Sequence, residues 1–427
     1  MNSRIDSDEA RALEAARACV ASKVSPLPPD DIDLADSGAL DSMAWVDTLI
    51  GIESATGIQD FGNPWPEKRP KSIRALEEMI QEARRVFQEE VAQVDLHLSA
   101  QAEGKTSITS WAYLLGSRRL SAEQIENDLG LPPYKIRDGA GVQSVCLAAD
   151  TEDEVALAQR AAENALEMAD VSVDVVDFLV VTSATFLGFP SLAASLHSRL
   201  MMRETSGALD VGGACAGLIY SLAVAKSLLG TRPQGTALVV AAEVHSRRLN
   251  TPQVPGEFRG LFGDGACAFV LTKGATAEQS VCVRVQEFAW GCSGTFASSL
   301  RVGISNDTGV NVQFKGDQLA QAAVAQLDRI VGTLEKLSGE LRTNVDYFAI
   351  HQPNPRVVEI FAEKAKIPME RSPLVARSCG NLGSVTCGAS LCQALAHFRE
   401  SGNRSRTPLI FMAAVAPGLV WGGAFLN

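Results

Sequence analysis

Residues 207–229 read Gly207-Ala-Leu-Asp-Val-Gly-Gly-Ala-Cys-Ala-Gly-Leu-Ile-Tyr-Ser-Leu-Ala-Val-Ala-Lys-Ser-Leu-Leu229. A short apolar strand gives way to a helix, and Cys215 stands at the change among small residues. Small neighbours let a substrate carbonyl come close to the sulfur. Unpaired backbone N–H groups at a helix N-terminus favour a thiolate. Both features suit a nucleophile that becomes acylated. The other reading is a buried core thiol, because free Cys packs as a small hydrophobe.

Outward from this stretch, apolar strands alternate with helical segments. Val175-Val-Asp-Phe-Leu-Val-Val, Thr236-Ala-Leu-Val-Val-Ala-Ala and Ala266-Cys-Ala-Phe-Val-Leu are continuous hydrophobic runs, while 152–169, 191–202 and 216–229 carry helical periodicity. Such strands belong to an α/β sheet buried on both faces. The pattern also repeats. Val176-Asp-Phe-Leu-Val-Val returns as Val345-Asp-Tyr-Phe-Ala-Ile, and Thr236-Ala-Leu-Val-Val-Ala-Ala-Glu-Val returns as Thr407-Pro-Leu-Ile-Phe-Met-Ala-Ala-Val. Gly265-Ala-Cys-Ala-Phe-Val-Leu finds a match in Gly422-Gly-Ala-Phe-Leu. Two tandem halves, about 106–275 and 276–427, account for this recurrence.

The nucleophile segment lies between the matched strands of the first half. Its counterpart in the second half is Ser378-Cys-Gly-Asn-Leu-Gly-Ser-Val-Thr. His351 stands where a matched strand runs out, in Ile350-His-Gln-Pro-Asn-Pro-Arg. Polar residues at the tip of an apolar strand are where α/β folds place chemistry. A hydrogen-bonded structural His is the alternative there.

Composition narrows the function classes. The 427 residues are 46% hydrophobic and 21% charged, with a net charge of −12, as in ordinary globular proteins. No apolar run is long enough for a membrane span, and the polar N-terminus has no signal-peptide core. The nine Cys lack paired spacings and the five His form no metal-binding pattern, so a reducing cytoplasm and a metal-free site are expected. Residues 1–90 hold 18 acids and 10 bases, and 30–60 contain eight acids without a Lys or Arg, which argues against nucleic-acid binding.

Within residues 1–90, a helix over 8–24 is stopped by Pro26, Pro28 and Pro29. Ser42 follows Asp41 at the first turn of an acidic helix, which Gly57 closes, and another helix runs from Ser72 to about Glu90. Ser42 could be a plain helix cap. The Asp41-Ser42-Met43 turn, the acidic helix behind it and Lys71-Ser72-Ile73 ahead of the last helix resemble an acyl carrier protein. That resemblance implies a small helical bundle, a 4′-phosphopantetheine arm on Ser42, and a phosphopantetheinyl transferase as partner. Met43 stands where the family usually has Leu. The polar segment 91–105 reads as a linker.

Residues 106–427 resemble the thiolase superfamily and, within it, the β-ketoacyl synthase III group. The resemblance rests on Gly213-Ala-Cys-Ala-Gly, Leu261-Phe-Gly-Asp-Gly-Ala, His351-Gln-Pro-Asn-Pro-Arg, Gly380-Asn381 and Trp421-Gly-Gly-Ala. It implies a duplicated αβαβα layered domain with Cys215 as the acylated nucleophile and His351 and Asn381 completing a Cys-His-Asn set. The N–H of Cys215 and the main chain near Gly418 would form the oxyanion hole. Phe189 would reach toward a partner's acyl pocket in a homodimer, or else pack as core. Arg356 would dock a carrier, or else be merely solvated, and Asp264 would fix a turn.

The implied reaction transfers an acyl group to Cys215 and condenses it, with loss of CO₂, onto a malonyl-type thioester borne by a carrier or by CoA. A fused carrier points to polyketide or specialised fatty-acyl metabolism. Three departures matter. The segment Ile136-Arg-Asp-Gly-Ala-Gly-Val-Gln-Ser lacks the Arg residues that usually help bind CoA phosphates, Leu419 replaces the usual Phe, and Pro417 stiffens its loop. Acyl transfer to an amine, alcohol or carrier without condensation is therefore an alternative. A catalytically silent scaffold is the non-enzyme alternative. No general-base Glu of the hydroxymethylglutaryl synthase type is identified.

Overall fold

Nine of the described strands form one mixed sheet. The computed structural model describes residues 105–427 apart from 250–253, 275–281, 295–299, 306–308, 315 and 402–405, together with 17–18, 20–21 and 72–75. Ser42 and nearly all of the carrier-like segment lie outside the described residues. The first half runs β1 (Thr106–Leu115), β2 (Arg118–Ser121), α1 (Ala122–Leu129), β3 (Ser144–Leu147), α2 (Glu154–Ala169), β4 (Phe178–Thr182), α3 (Leu192–Arg199), β5 (Gly207–Asp210), α4 (Gly217–Gly230), β6 (Gly235–Val244) and β7 (Asp264–Lys273). The second runs β8 (Val283–Cys292), β9 (Leu300–Ser305), β10 (Gly309–Phe314), α5 (Gly316–Ser338), β11 (Tyr347–Ile350), α6 (Pro355–Ala365), α7 (Val385–Glu400), β12 (Ile410–Ala416) and β13 (Val420–Leu426).

Among the described residues the main sheet has the order β11-β12-β13-β8-β1-β7-β6-β4-β5. Its two arms share a plan. β4 is parallel to β6, which is antiparallel to β7; β11 is parallel to β12, which is antiparallel to β13. The arms join through β1 and β8, at Ser107–Arg284 and Ile108–Val283.

The register of the repeat differs from the one expected from sequence. The Asp177 N–H donates to the Thr236 carbonyl, whereas the Asp346 N–H donates to that of Leu409, so Thr236 corresponds to Leu409 and not to Thr407. Each aspartate carboxylate also accepts from the N–H of the same partner, at 3.0 Å for Thr236 and 2.9 Å for Leu409. Opposite them, Glu243 pairs with Gly265 while Ala416 pairs with Val420, so Gly265 corresponds to Val420 and not to Gly422. Both offsets are two residues. A shift of two leaves every side chain on its own face, so hydrophobic alternation does not register it.

Alternation along the central strands builds the layers. Ala237, Val239 and Ala241 of β6 face the middle of the molecule, while Leu238, Val240 and Ala242 face an outer layer against α2 and α3. In β12, Ile410, Met412 and Ala414 face the middle and Phe411, Ala413 and Val415 face the layer with α5 and α6. The middle layer holds α4 and α7, and every residue from Val385 through Cys392 is buried. A helix enclosed on all sides must be apolar or small all round. Gly388 marks a close approach of this helix to its neighbours. A Cβ there would fall 2.4 Å from Cys267 Sγ and 2.7 Å from Leu218 Cδ2. Gly388→Ala is therefore expected to overpack this layer and destabilise the fold by about 1–3 kcal/mol. The shift of the urea unfolding midpoint measures it; an unchanged midpoint would show that the layer can relax.

Candidate active site

The chain reaches Cys215 through a turn that larger residues could not make. Gly213 has φ 142° and Ala214 φ 47°, and Cys215 sits in the 3₁₀ turn Ala214–Ala216 immediately before α4. A Cβ on Gly217 would lie 2.1 Å from Thr182 Oγ1, so glycine lets the helix start against β4. His351 follows β11, with its N–H donating to the Ala413 carbonyl at 2.8 Å. Asn381 is held by main chain on both sides: its N–H donates to Leu261 at 2.7 Å, and its carbonyl accepts from the Gly263 N–H at 3.0 Å. That approach is so close that a Cβ on Gly263 would fall 2.0 Å from the Cys379 carbonyl oxygen.

Cys215, His351 and Asn381 come together on one cavity of about 110 Å³, whose walls include Phe258, Phe262 and Pro417. A larger cavity of about 600 Å³ opens beside α1, on Arg118, Arg247 and Arg259. It contains none of the three candidate catalytic residues and shares Phe262 as a wall. The small cavity has the chemistry.

The Asn381 amide is oriented by its neighbours. Its Oδ1 accepts from the Gly383 N–H at 2.9 Å and from the Thr386 hydroxyl at 3.4 Å. The Nδ2 side is thereby left to donate elsewhere. His351 is 5% exposed, and its Nδ1 has no hydrogen-bond partner. Burial, aided by His245 nearby, pushes this imidazole down to about 3, against a partial opposing effect of the Gly383 main chain. His351 is thus neutral at ordinary pH and able to donate one hydrogen without carrying charge.

The thiol departs from expectation. A helix N-terminus is expected to lower Cys215, yet burial pushes it up to about 12, with the Glu243 carboxylate and Cys387 adding to the rise. The Cys215 N–H opposes this only in part. Desolvation of a charged sulfur outweighs the helix dipole here. The resting site holds a thiol beside a neutral imidazole.

The remaining candidates are placed as follows. Gly418 lies in the turn Pro417–Leu419 with φ 75°, and Pro417 of that turn lines the cavity. Leu419 is buried in the second half's core and is absent from the cavity wall. Phe189 is fully exposed in the single chain and does not reach the cavity. Arg356 is exposed, bonded to Glu359 at 3.2 Å and to the Asp138 carbonyl at 3.3 Å, one residue from the cavity-lining Val357. Asp264 is buried at the start of β7 and accepts from the N–H groups of Ala148 and Ser246, so it ties two separate segments together and does not fix a local turn.

Two site residues escaped the sequence reading. Glu243 is fully buried and ties two loops together, accepting from the Ala184 and Thr185 N–H groups at 2.9 and 3.1 Å and from the Ser384 hydroxyl at 2.6 Å. His245 is 7% exposed and stacks on Phe262 at 4.7 Å. The signal was present: Glu243-Val-His245 ends an apolar strand, as His351 does.

Comparison with known proteins agrees with this geometry. Residues 209–294 match the family model for 3-oxoacyl-[acyl-carrier-protein] synthase III, and residues 338–427 match the model for its C-terminal part. The β-ketoacyl-[acyl-carrier-protein] synthase III of Ruegeria pomeroyi is 30% identical over 330 residues, covering 76% of this chain and 99% of that protein. The chain belongs to the synthase III family. The synthase III of Alkalilimnicola ehrlichii is 31% identical over 303 residues, covering 68% of this chain and 90% of its own. Among solved structures, synthase III from Pseudomonas aeruginosa superposes with a TM-score of 0.66 at 25% identity, over 76% of this chain and 98% of the other. An OleA variant from Xanthomonas campestris superposes with a TM-score of 0.67 at 19% identity, over 75% and 98%, a likeness of fold. The chain is therefore an enzyme of the acyl-transferring, condensing kind, on a thiolase-like fold. Among the described residues there is no helix long and apolar enough to cross a membrane, and no cluster of His, Cys, Asp or Glu suited to a metal ion.

Two outcomes follow from the protonation states. Alkylation of Cys215 by iodoacetamide, followed by peptide mapping, is expected to accelerate steadily with pH toward about 12; a plateau near neutrality would mean that thiolate forms in the resting site. For His351, the folded state stays neutral down to about 3, whereas the unfolded state gains a proton below 6.5. Between those values the unfolded state binds more protons, so this residue's contribution to stability falls as pH falls. His351→Gln is expected to narrow the difference between the urea midpoints measured at neutral and acid pH. An equal or wider difference would contradict a neutral buried His351.

Proposed function

We propose that the chain forms an acyl thioester on Cys215 and condenses it with a malonyl-type thioester, with a fused carrier arm on Ser42 serving as thioester donor or acceptor. The observation that carries this reading is the convergence of Cys215, His351 and Asn381 on one cavity, with His351 uncharged. Attack of Sγ on the incoming thioester carbonyl forms the new C–S bond and breaks the bond to the carrier sulfur. The thiol proton passes, through His351, to the departing pantetheine thiolate. The transient oxyanion needs preorganised donors, and the main-chain N–H groups of Cys215 and Gly418 are assigned that task.

In the second half-reaction the malonyl carboxylate leaves as CO₂, and the electron pair of that C–C bond delocalises onto the thioester oxygen. His351 and the Asn381 amide donate to this enolate, since neither need ionise to do so. The carbanion attacks the acyl carbon, Cys215 departs as thiolate and takes up a proton from solvent water, and a β-ketoacyl thioester is released. Ping-pong kinetics follow from the covalent intermediate.

The acidic first ninety residues and the Asp41-Ser42-Met43 turn support a fused carrier, and the absence of the Arg residues that usually follow a block like Arg137-Asp-Gly-Ala supports a carrier over CoA as thioester source. A short linker would hold the arm at millimolar effective concentration where it can reach. The fully exposed Phe189, with half-exposed Leu187 beside it, supports a homodimer whose second copy covers that loop. Cytoplasmic polyketide or specialised fatty-acyl synthesis fits such an arrangement. The acyltransferase alternative loses a support, because Leu419 faces the core and not the cavity.

The test uses the full chain with a phosphopantetheinyl transferase, an acyl thioester and a carboxyl-labelled malonyl thioester. Intact-mass analysis is expected to show the arm on wild type but not on Ser42→Ala, and an acyl adduct lost in Cys215→Ala. Labelled CO₂ is expected from wild type, with release reduced about 100-fold or more in Asn381→Ala, as for loss of one oxyanion donor. Efficient acyl transfer without CO₂ release would select simple acyl transfer and overturn the condensation.

A further inference from the structure

His245 touches both segments that hold Asn381 in place. Its Nδ1 lies 3.1 Å from the Gly263 carbonyl oxygen. A carbonyl only accepts, so Nδ1 carries a proton and donates it to Gly263. Gly263 in turn donates its N–H to the Asn381 carbonyl at 3.0 Å. The far edge of the ring lies against Gly383, where a Cβ would come within 2.7 Å of His245 Cε1 and 2.9 Å of Nε2. Gly383 has φ 58° and donates its N–H to Asn381 Oδ1 at 2.9 Å. One imidazole therefore spans the residue that holds the Asn381 main chain and the residue that holds its amide.

We propose that His245 is a positioning residue for the decarboxylation step, wedged between Gly263 and Gly383 so that the Asn381 amide stays aimed at the enolate oxygen. The wedge is braced from behind by Phe262, which stacks on the ring at 4.7 Å and is itself packed on Phe258 at 4.9 Å. Glu243 closes the other side, with Oε1 3.2 Å from the same Gly383 Cβ position and bonded to the Ser384 hydroxyl. Without the ring, Gly383 is free to relax toward the vacated space and take the Asn381 amide with it. Small displacements of a donor cost large factors in rate. Acylation uses Cys215, before α4, and His351 but draws no donor from the Asn381 amide, so it does not depend on this wedge.

This inference rests on the proposed condensation, and the experiment separates the two. In the full chain, Cys215 acylation by hexanoyl-pantetheine and CO₂ release from carboxyl-labelled malonyl-pantetheine are measured for wild type, His245→Ala, His245→Asn and His245→Phe. His245→Ala is expected to lower CO₂ release about 10- to 100-fold while acylation stays within about twofold of wild type. His245→Asn keeps a donor for Gly263 but no ring edge against Gly383, and should share that loss. His245→Phe restores the ring edge and should recover most of the decarboxylation. Equal loss of both half-reactions, or undiminished CO₂ release in His245→Asn, would overturn the assignment, and should His245→Ala not fold, the Asn and Phe variants decide it alone. A wild type that acylates but releases no CO₂ would overturn the condensation itself and this role with it.

Discussion

Main chain meets main chain where Leu261–Gly263 runs alongside Gly380–Asn381, with hydrogen bonds of 2.7 and 3.0 Å closing the contact. Neither segment has room for a side chain on the facing glycines. A Cβ on Gly380 would fall 2.9 Å from the Leu261 carbonyl oxygen and 3.0 Å from the Gly263 nitrogen. This contact brings the first half's loop to the second half's Asn381, and it places Phe262 as the cavity wall. Buried main-chain groups must find partners, so the two loops satisfy each other where no water enters.

Around that contact the site is built from neutral groups. Burial lifts the thiol and depresses the imidazole, so the uncharged form of each is favoured. A dry site could not hold a thiolate and an imidazolium cheaply without strong pairing. The one buried carboxylate at its edge, Glu243, is saturated by N–H and hydroxyl donors from two loops. That carboxylate organises the site but is not disposed to act as a base, since both oxygens are already engaged.

Much of this was legible in the residues. Cys215 at a strand-to-helix change, His351 at a strand tip and Asn381 in the matching turn are short-range patterns, and α/β strand alternation follows from burial on both faces. The thiol's protonation was not legible, because a helix N-terminus is written in local sequence whereas Glu243 and Cys387 come from distant segments. The repeat's register was also hidden. A two-residue slip changes no face, and only the ladder from Asp346 to Leu409 reveals it. His245 was readable by the same rule that found His351. Its importance lies in contacts to Gly263 and Gly383, which are 18 and 138 residues further along the chain.

The protonated state of Cys215 bears on how long the enzyme lasts between turnovers. Peroxide and other oxidants attack the thiolate, and the route from sulfenic to sulfinic acid begins there. A sulfur kept as thiol by its surroundings is a poor target for them. The same burial that keeps Cys215 a thiol therefore shields the nucleophile from irreversible oxidation while the enzyme waits.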